Sequence, residues 1–284
     1  MKITGIVTFL VEVGRRNLSF VKVTTDEGLH GVGEAYSVGP DEATANVVGY
    51  FRDWLIGLDP LDIEGIWQQV YLCSRFPGGS VVLSALSGID HALWDIKGKA
   101  YGVPVYQLLG GKCRDRIRVY QNPGGATPEE TLENALALQE RYGFTAFKTN
   151  PLPPDQHDLA WPRVLDYVER KMRLLREGLG LDVEIALDPH AKILEPAKAL
   201  DVCRAVAPFH PMFVEEPLRP ENVEALAGVR AKSPVPIATG EMLYTKWEFR
   251  DLLRAGAADI VQPDICCCGG ITEMKKIAAL AEAE

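Results

Sequence analysis

The chain has 284 residues, of which 47% are hydrophobic and 24% are charged, as in a globular protein of one or two domains. Its 30 basic and 39 acidic residues give a net charge of −9, which argues against nucleic acid or an anionic membrane as a partner, because both require a basic surface. No apolar run approaches the roughly 20 residues of a membrane span, and no signal-peptide pattern follows Met1. We therefore expect a cytoplasmic protein whose six cysteines are unpaired thiols.

The first 115 residues predict strands followed by helices. Residues 2–12 and 17–25 are rich in Val, Ile, Thr and Phe, and a turn at Asp26–Gly28 leads into a third strand over residues 29–35. Residues 41–110 have helical spacing and end at Gly110 and Gly111. This order predicts an α+β domain over residues 1–115.

From residue 117 onward, short apolar strands alternate with helices. The strands are predicted near residues 117–121, 144–149, 183–188, 211–215, 235–239 and 258–263. Thr127, Pro128 and Glu130 form a typical helix start. Strands that repeat at this interval indicate a parallel sheet, which is either a (β/α)8 barrel or a doubly wound sheet. The absence of a G-x-G-x-x-G motif after any strand weakens the dinucleotide-binding version.

The number of βα units also bears on the boundary of the second domain. Six units are two fewer than a closed eight-stranded barrel contains. The sequence ends at Ala283 and Glu284, within the helix after the sixth strand. We therefore expect the barrel domain, residues 116–284, to be truncated after its sixth unit.

Three carboxylates follow successive predicted strands. Asp188, Glu215 and Glu241 lie 27 and 26 residues apart, about one βα unit each, which predicts that neighbouring strands present them side by side. Any one of them alone could be a helix cap or a solvated residue. Three together would repel one another unless a cation neutralised them. Oxygen ligands of this kind favour a hard divalent ion, and Mg²⁺ fits best.

Other polar residues lie at the same strand ends. His190 is two residues after Asp188, so on extended chain both would point into the same cavity. Lys148 and Asn150 form a second pair of this kind, although Lys148 alone could be a solvated lysine. Asp264 ends the sixth strand and could instead cap a helix. Of the adjacent Glu215 and Glu216, we expect Glu215 to face inward and Glu216 to cap or pair outside.

Taken in order, these strand ends resemble the enolase superfamily and its mandelate racemase subgroup. The matching segments are Phe147–Asn150, Asp188–His190, Val214–Pro217, Ala238–Glu241, Gln262–Asp264 and Gly269–Glu273. Trp94–Lys99, Pro104–Tyr106 and Leu108–Gly111 resemble the boundary of its capping domain. Within the subgroup, the Lys-x-Asn and Asp-x-His patterns are most similar to acid-sugar dehydratases of the galactonate dehydratase type. Racemases and cycloisomerases commonly carry Lys-x-Lys, and here Asn150 replaces the second lysine.

The resemblance implies a (β/α)8-type TIM barrel with an N-terminal α+β capping domain. It implies that Asp188, Glu215 and Glu241 bind Mg²⁺, that Lys148 and Asn150 contact the substrate carboxylate, and that His190 is the general acid. The expected activity is Mg²⁺-dependent dehydration of an aldonate or aldarate to a 2-keto-3-deoxy acid. The family's base is a histidine on the seventh strand, beyond Glu284, and Asp264 matches the aspartate that holds it.

Two other functions remain open at this point. The first is a racemase, epimerase or cycloisomerase of the same superfamily, in which His190 could serve as one of two bases. The second is a catalytically silent metal-binding module. In each enzymatic case the partner is a small carboxylate, and the family also predicts a homo-oligomer.

Overall fold

The computed structural model describes residues 1–14, 16–37, 39–75 and 77–284. These residues form two compact units. The first unit contains residues 1–115, 241–250 and 263–284, and the second contains residues 116–240 and 251–262. The first segment of the first unit ends at residue 115, and residues 241–250 and 263–284 group with it.

The first unit contains a three-stranded antiparallel sheet in the order β1-β2-β3. The strands are β1 (Ile3–Val13), β2 (Arg16–Thr25) and β3 (His30–Ala35), close to the predicted ranges. The turn between β2 and β3 includes Gly28, whose φ of 81° favours glycine. One face of the sheet is buried, as shown by Val21, Val23 and Ala35, which have no solvent exposure.

Helices follow the sheet, as predicted, over residues 41–110. They are α1 (Asp41–Leu55), α2 (Ile63–Cys73), α3 (Gly79–Tyr101) and α4 (Val105–Leu108). Helix α3 packs directly on β3, because Gly31 and Gly33 have no side chains there; a Cβ at Gly31 would lie 1.9 Å from the carbonyl oxygen of Ala92. Helix α10 (Gly270–Ala283) joins this unit through buried Asp90 on α3, whose Oδ1 is 2.5 Å from Thr272 Oγ1.

The second unit contains a parallel sheet whose five strands follow one another in chain order. They are β4 (Ala146–Thr149), β5 (Glu184–Leu187), β6 (Val214–Glu215), β7 (Ile237–Thr239) and β8 (Ile260–Val261). A doubly wound sheet would reverse its strand order at a switch point, and the five strands do not. The arrangement is therefore that of a (β/α) barrel.

Helices connect these strands. They are α5 (Pro128–Tyr142), α6 (Trp161–Leu179), α7 (Pro196–Val206) with a 3₁₀ turn at Ala207–Phe209, α8 (Val223–Arg230) and α9 (Thr245–Arg254), whose residues divide between the two units. Helix α5 begins as predicted, since Thr127 Oγ1 accepts a 3.1 Å hydrogen bond from the Glu130 backbone N–H. Glu130 in turn accepts a hydrogen bond from the Ala126 N–H.

The predicted first barrel strand, residues 117–121, is wrong as a full strand. Among the described residues it is a single parallel bridge between Gln121 and Phe147. Ile117 and Val119 are 70% and 59% exposed, so no buried face fixes the residues before Gln121 in a ladder. No helix in the described ranges combines the length and apolarity needed to cross a membrane.

Candidate active site

The carboxyl ends of β4, β5 and β6 bring together one lysine and two carboxylates. The Lys148 Nζ lies 2.6 Å from Glu215 Oε1 and 3.1 Å from Asp188 Oδ2. The register explains this contact, because Leu187 pairs with Val214 and the next residues are therefore level with each other. We call these three residues the Lys148 cluster.

The Lys148 cluster is largely removed from water. The side chains of Lys148, Asp188 and Glu215 are 17%, 15% and 3% exposed. Burial raises the pKa of Glu215, although the Lys148 ammonium opposes the shift. Burial alone would lower the pKa of Lys148, but hydrogen bonds and charge from Glu215 and Asp188 outweigh it and raise that pKa. Lys148 therefore remains an ammonium at neutral pH and stabilises negative charge.

The third predicted ligand, Glu241, does not follow from the same register. Glu215 pairs with Ala238 of β7, so the chain runs three residues further before it reaches Glu241. Glu241 therefore comes two residues after β7, whereas Asp188 directly follows β5 and Glu215 ends β6. Within the ranges that the structure describes, no group of three or more His, Cys, Asp or Glu side chains is arranged to hold a metal ion.

His190 reaches Asp188 by a different route from the predicted one. The chain after β5 is not extended, because His190 and Ala191 have φ values of 57° and 53°. The His190 backbone N–H donates a 2.8 Å hydrogen bond to Asp188 Oδ1, which closes a tight turn. The imidazole Nδ1 still lies 3.7 Å from Asp188 Oδ2, and the side chain is 59% exposed. An exposed imidazole beside a carboxylate can reach a bound small molecule.

Asn150 is held on both its backbone and its side chain. Its Oδ1 accepts a 2.8 Å hydrogen bond from the Leu152 N–H, and its carbonyl oxygen accepts one of 3.0 Å from Lys171 Nζ. These bonds fix the loop after β4 at the position where Asn150 is predicted to contact substrate.

Two residues of this region were not among the predicted site residues. Gln262, after β8, donates from Nε2 to Glu215 Oε2 at 3.1 Å and to the Tyr120 hydroxyl at 3.3 Å. Burial raises the pKa of Tyr120, whose ring lies 5.7 Å from Lys148 Nζ. The signal for Gln262 was its position in the Gln262–Asp264 strand-end motif, whereas Tyr120 lies in the exposed segment before the first bridge and gave no signal.

Glu216 is a correction to the prediction that it faces outward. It is 1% exposed, with a φ of 38°. Its Oε1 lies 3.4 Å from the Thr239 hydroxyl and 3.5 Å from the Gly240 N–H. Glu216 is therefore a buried residue of the sheet end.

The first unit holds the two remaining predicted residues, Glu241 and Asp264. Asp264 Oδ1 accepts a 2.7 Å hydrogen bond from the Cys266 N–H, so its side chain caps the turn that follows. Tyr36 was not among the predicted site residues. Burial raises the pKa of its hydroxyl, and the negative charges of Glu241 and Asp264 raise it further.

The donor chemistry of the Lys148 cluster fits a divalent cation. Asp188 and Glu215 offer only oxygen atoms as ligands, and both carboxylates already contact one positive group, the Lys148 ammonium. The buried Glu215 carboxylate would gain from a neighbouring cation, because burial otherwise disfavours its charged form.

Two family profiles and several characterised relatives match the chain. The sequence profile of the mandelate racemase / muconate lactonizing enzyme N-terminal domain matches residues 3–110, and that of the enolase C-terminal domain-like family matches residues 130–284. The D-galactonate dehydratase of Variovorax paradoxus is 41% identical over 283 residues, covering 100% of this chain and 72% of that protein. The D-galactonate dehydratase of Ralstonia nicotianae is 40% identical, with the same coverage.

Solved structures have the same fold. An enolase from Agrobacterium radiobacter, bound to Na and L-malate, superposes with a TM-score of 0.96 at 43% identity and covers 100% of this chain and 72% of its own. The 3,6-anhydro-D-galactonate cycloisomerase from Zobellia galactanivorans gives a TM-score of 0.89 at 32% identity, covering 100% of this chain and 78% of its own.

The fold and the polar strand ends define an enzyme of the enolase superfamily, with a TIM barrel and an N-terminal cap. The chain belongs to the mandelate racemase / muconate lactonizing enzyme family of that superfamily. The predicted resemblance and fold class are thereby confirmed. Enzymes of this superfamily use Mg²⁺.

Proposed function

We propose that the protein is an acid-sugar dehydratase, a hydro-lyase that converts an aldonate or aldarate to a 2-keto-3-deoxy acid. The observation that carries this proposal is the 41% identity, over the whole chain, to a D-galactonate dehydratase. The Lys-x-Asn pattern of Lys148 and Asn150 supports it, because the second lysine base common in racemases and cycloisomerases is absent from that position.

The reaction removes the α-proton of the acid and the β-hydroxyl, which leaves as water. His190 is proposed as the general acid that protonates the departing hydroxyl. Lys148 and Asn150 are proposed to bind the substrate carboxylate, with the Lys148 ammonium opposing the negative charge that develops there. Asp264 is proposed as the carboxylate that orients the histidine base, which the family resemblance places on a seventh strand. The enol product then tautomerises to the 2-keto-3-deoxy acid.

Asp188, Glu215 and Glu241 are proposed as the ligands of Mg²⁺. When bound, the ion would supply positive charge that stabilises the deprotonated substrate. The support for Asp188 and Glu215 is their meeting point at Lys148. The support for Glu241 is its position after β7, the strand that pairs with β6.

The test is a product assay with a panel of acid sugars that includes D-galactonate and galactarate. A purified polypeptide that includes the seventh strand, where the family base is expected, is incubated with MgCl2 in D2O, and proton NMR follows both elimination and exchange at the α-carbon. We expect a 2-keto-3-deoxy product from at least one acid. His190→Asn should lower kcat by about 10²–10⁴-fold, the usual contribution of a general acid. The matched control is His157→Asn, an exposed histidine outside the candidate site.

Other outcomes of this assay would contradict the proposal. Deuterium exchange at the α-carbon without elimination would favour a racemase or epimerase, and ring closure without loss of water would favour a cycloisomerase. No turnover of any acid, with metal bound, would favour a metal-binding module.

We also propose a cytoplasmic homo-oligomer. All six cysteines, which lie within the described ranges, are free thiols, as in a reducing compartment. One face of β1 exposes Val7, Phe9, Val11 and Val13 by 44–54%, an apolar stripe of the kind that subunit contacts cover. Sedimentation equilibrium tests this proposal, because Phe9→Ser should weaken association if the stripe is an interface.

A further inference from the structure

A cavity of about 340 Å³ lies in the second unit beside β4 and α6. Its volume is at the lower end of the roughly 300–1,000 Å³ of small-molecule sites. The residues of the Lys148 cluster and His190 are not among the described residues that line it. Its polar lining includes Asn122, Asn150, Gln156, Tyr167, Lys171 and Lys192. We call it the Lys171 cavity.

Lys171 is the unusual residue of this wall. It lies on α6, is only 6% exposed, and donates a 3.0 Å hydrogen bond from Nζ to the Asn150 carbonyl oxygen. No acidic side chain in the described part of the chain forms an ion pair with it, and burial lowers the pKa of its amine to about 8. An ammonium has three N–H donors, so the one bond to Asn150 leaves capacity for an acceptor in the cavity.

The charge of the cavity is opposite to that of the chain. The protein carries 39 acidic residues and a net charge of −9. No Asp or Glu is found among the described residues that line the cavity, whereas two lysines are. A buried lysine without a carboxylate partner is costly, and a small anion would offset that cost.

We infer that the Lys171 cavity binds the carboxylate group of a small organic acid, held between Lys171 and Lys192. Lys192 is exposed and offers a second ammonium in the lining of the same cavity. The carboxamides of Asn122 and Gln156 provide further N–H donors around the cavity. A carboxylate has two oxygens, one for each lysine, and forms charge-assisted hydrogen bonds with both.

The test is calorimetric titration of malonate into purified protein that has been treated with EDTA and then dialysed free of it, so that neither metal nor chelator contributes. Malonamide has the same shape without the charge and is the matched ligand control. We expect saturable binding of malonate and at least tenfold weaker binding of malonamide, because charged hydrogen bonds are lost. Absence of saturable malonate binding, or equal binding of malonamide, would overturn the inference.

Variants locate the bound anion. Lys192→Met changes an exposed residue and should weaken malonate binding about tenfold, and Lys171→Met should weaken it at least as much. Lys232→Met, which changes an exposed lysine outside the cavity, should leave the affinity unchanged. If the affinity of Lys192→Met equals that of the wild type, malonate binds elsewhere and the inference fails, whether or not Lys171→Met folds.

The carboxylate could belong to the far end of the substrate or to a separate small acid. A comparison of KM values distinguishes these two sources. That comparison rests on the proposed function, whereas the malonate titration does not, so the two can fail independently. If the substrate supplies it, Lys192→Met should raise KM for an aldarate, which has two carboxylates, and leave KM for the matching aldonate unchanged. If a separate acid supplies it, both KM values stay constant while malonate affinity falls.

Discussion

Replacement of Lys148 by methionine should strongly destabilise the second unit. The substitution keeps the length of the side chain but removes the ammonium that lies 2.6 Å from Glu215 and 3.1 Å from Asp188. Two largely buried carboxylates would then face each other without a counter-charge. Loss of one partner from a buried ion pair costs about 3–5 kcal/mol, so we expect a fall of that size in the free energy of unfolding.

Urea unfolding at neutral pH with EDTA present measures this change. The matched control is Lys112→Met, which breaks an ion pair with Asp115 whose side chains are 58% and 85% exposed. An exposed pair of this kind contributes about 0–1 kcal/mol, so the control should differ little from the wild type. The loss in Lys148→Met should also shrink as the pH falls, because the unpaired carboxylates then accept protons.

A small effect would contradict the role of Lys148 as a counter-charge for the two carboxylates. If Lys148→Met changed the free energy of unfolding by no more than Lys112→Met does, the Lys148 cluster would not be an energetically coupled group. A loss that stayed constant from neutral to acidic pH would show that lost packing, rather than unpaired charge, is the cause.

Three further predictions concern the fold. Burial raises the pKa of Asp90 from 3.8 to about 7, so between these pH values the folded state holds a proton that the unfolded state releases. The protonated carboxyl therefore contributes to the free energy of unfolding in full below pH 3.8, and this contribution is lost as the pH rises through about 7. In Asp90→Asn, the decrease in the free energy of unfolding between pH 4 and 7, measured with urea, should be smaller than in the wild type by up to about 4 kcal/mol. The same decrease in both proteins would contradict this prediction. Thr127→Ala should cost about 1 kcal/mol in the same assay, because the N-cap of α5 is lost, and Thr127→Ser should restore most of it. Gly31→Ala should lower the thermal midpoint, since its Cβ would lie 1.9 Å from a carbonyl oxygen of α3, at a cost of about 1–3 kcal/mol; a neutral result would mean that β3 and α3 separate easily.

Local patterns in the sequence predicted most of the secondary structure. The N-terminal strands, the helices after them and the start of α5 at Thr127 all depend on neighbouring residues, which a sequence displays directly. The failure at residues 117–121 has a different cause. Their apolar composition is that of a strand, but strand formation depends on a buried face and a partner, and Ile117 is 70% exposed.

The site was predictable where register and sequence spacing agree. Asp188 and Glu215 are level because β5 and β6 pair with an offset of 27 residues, the same as their separation. Between β6 and β7 the offset is 23 residues, three fewer than the separation of Glu215 and Glu241, so the register does not by itself explain the position predicted for Glu241. The turn at His190 and the burial of Glu216 depend on positive φ values at residues other than glycine, which no residue pattern indicated.

The most direct test of the account is a calorimetric titration of Mg²⁺ into the wild type and into Glu215→Gln. Glutamine keeps the size of the side chain but removes the charge that a divalent ion requires. We predict that the wild type binds one Mg²⁺ per chain and that Glu215→Gln binds it at least tenfold more weakly, with a similar loss in Asp188→Asn. Equal Mg²⁺ affinity in the wild type and both variants would contradict the account, because the ion would then bind outside these carboxylates.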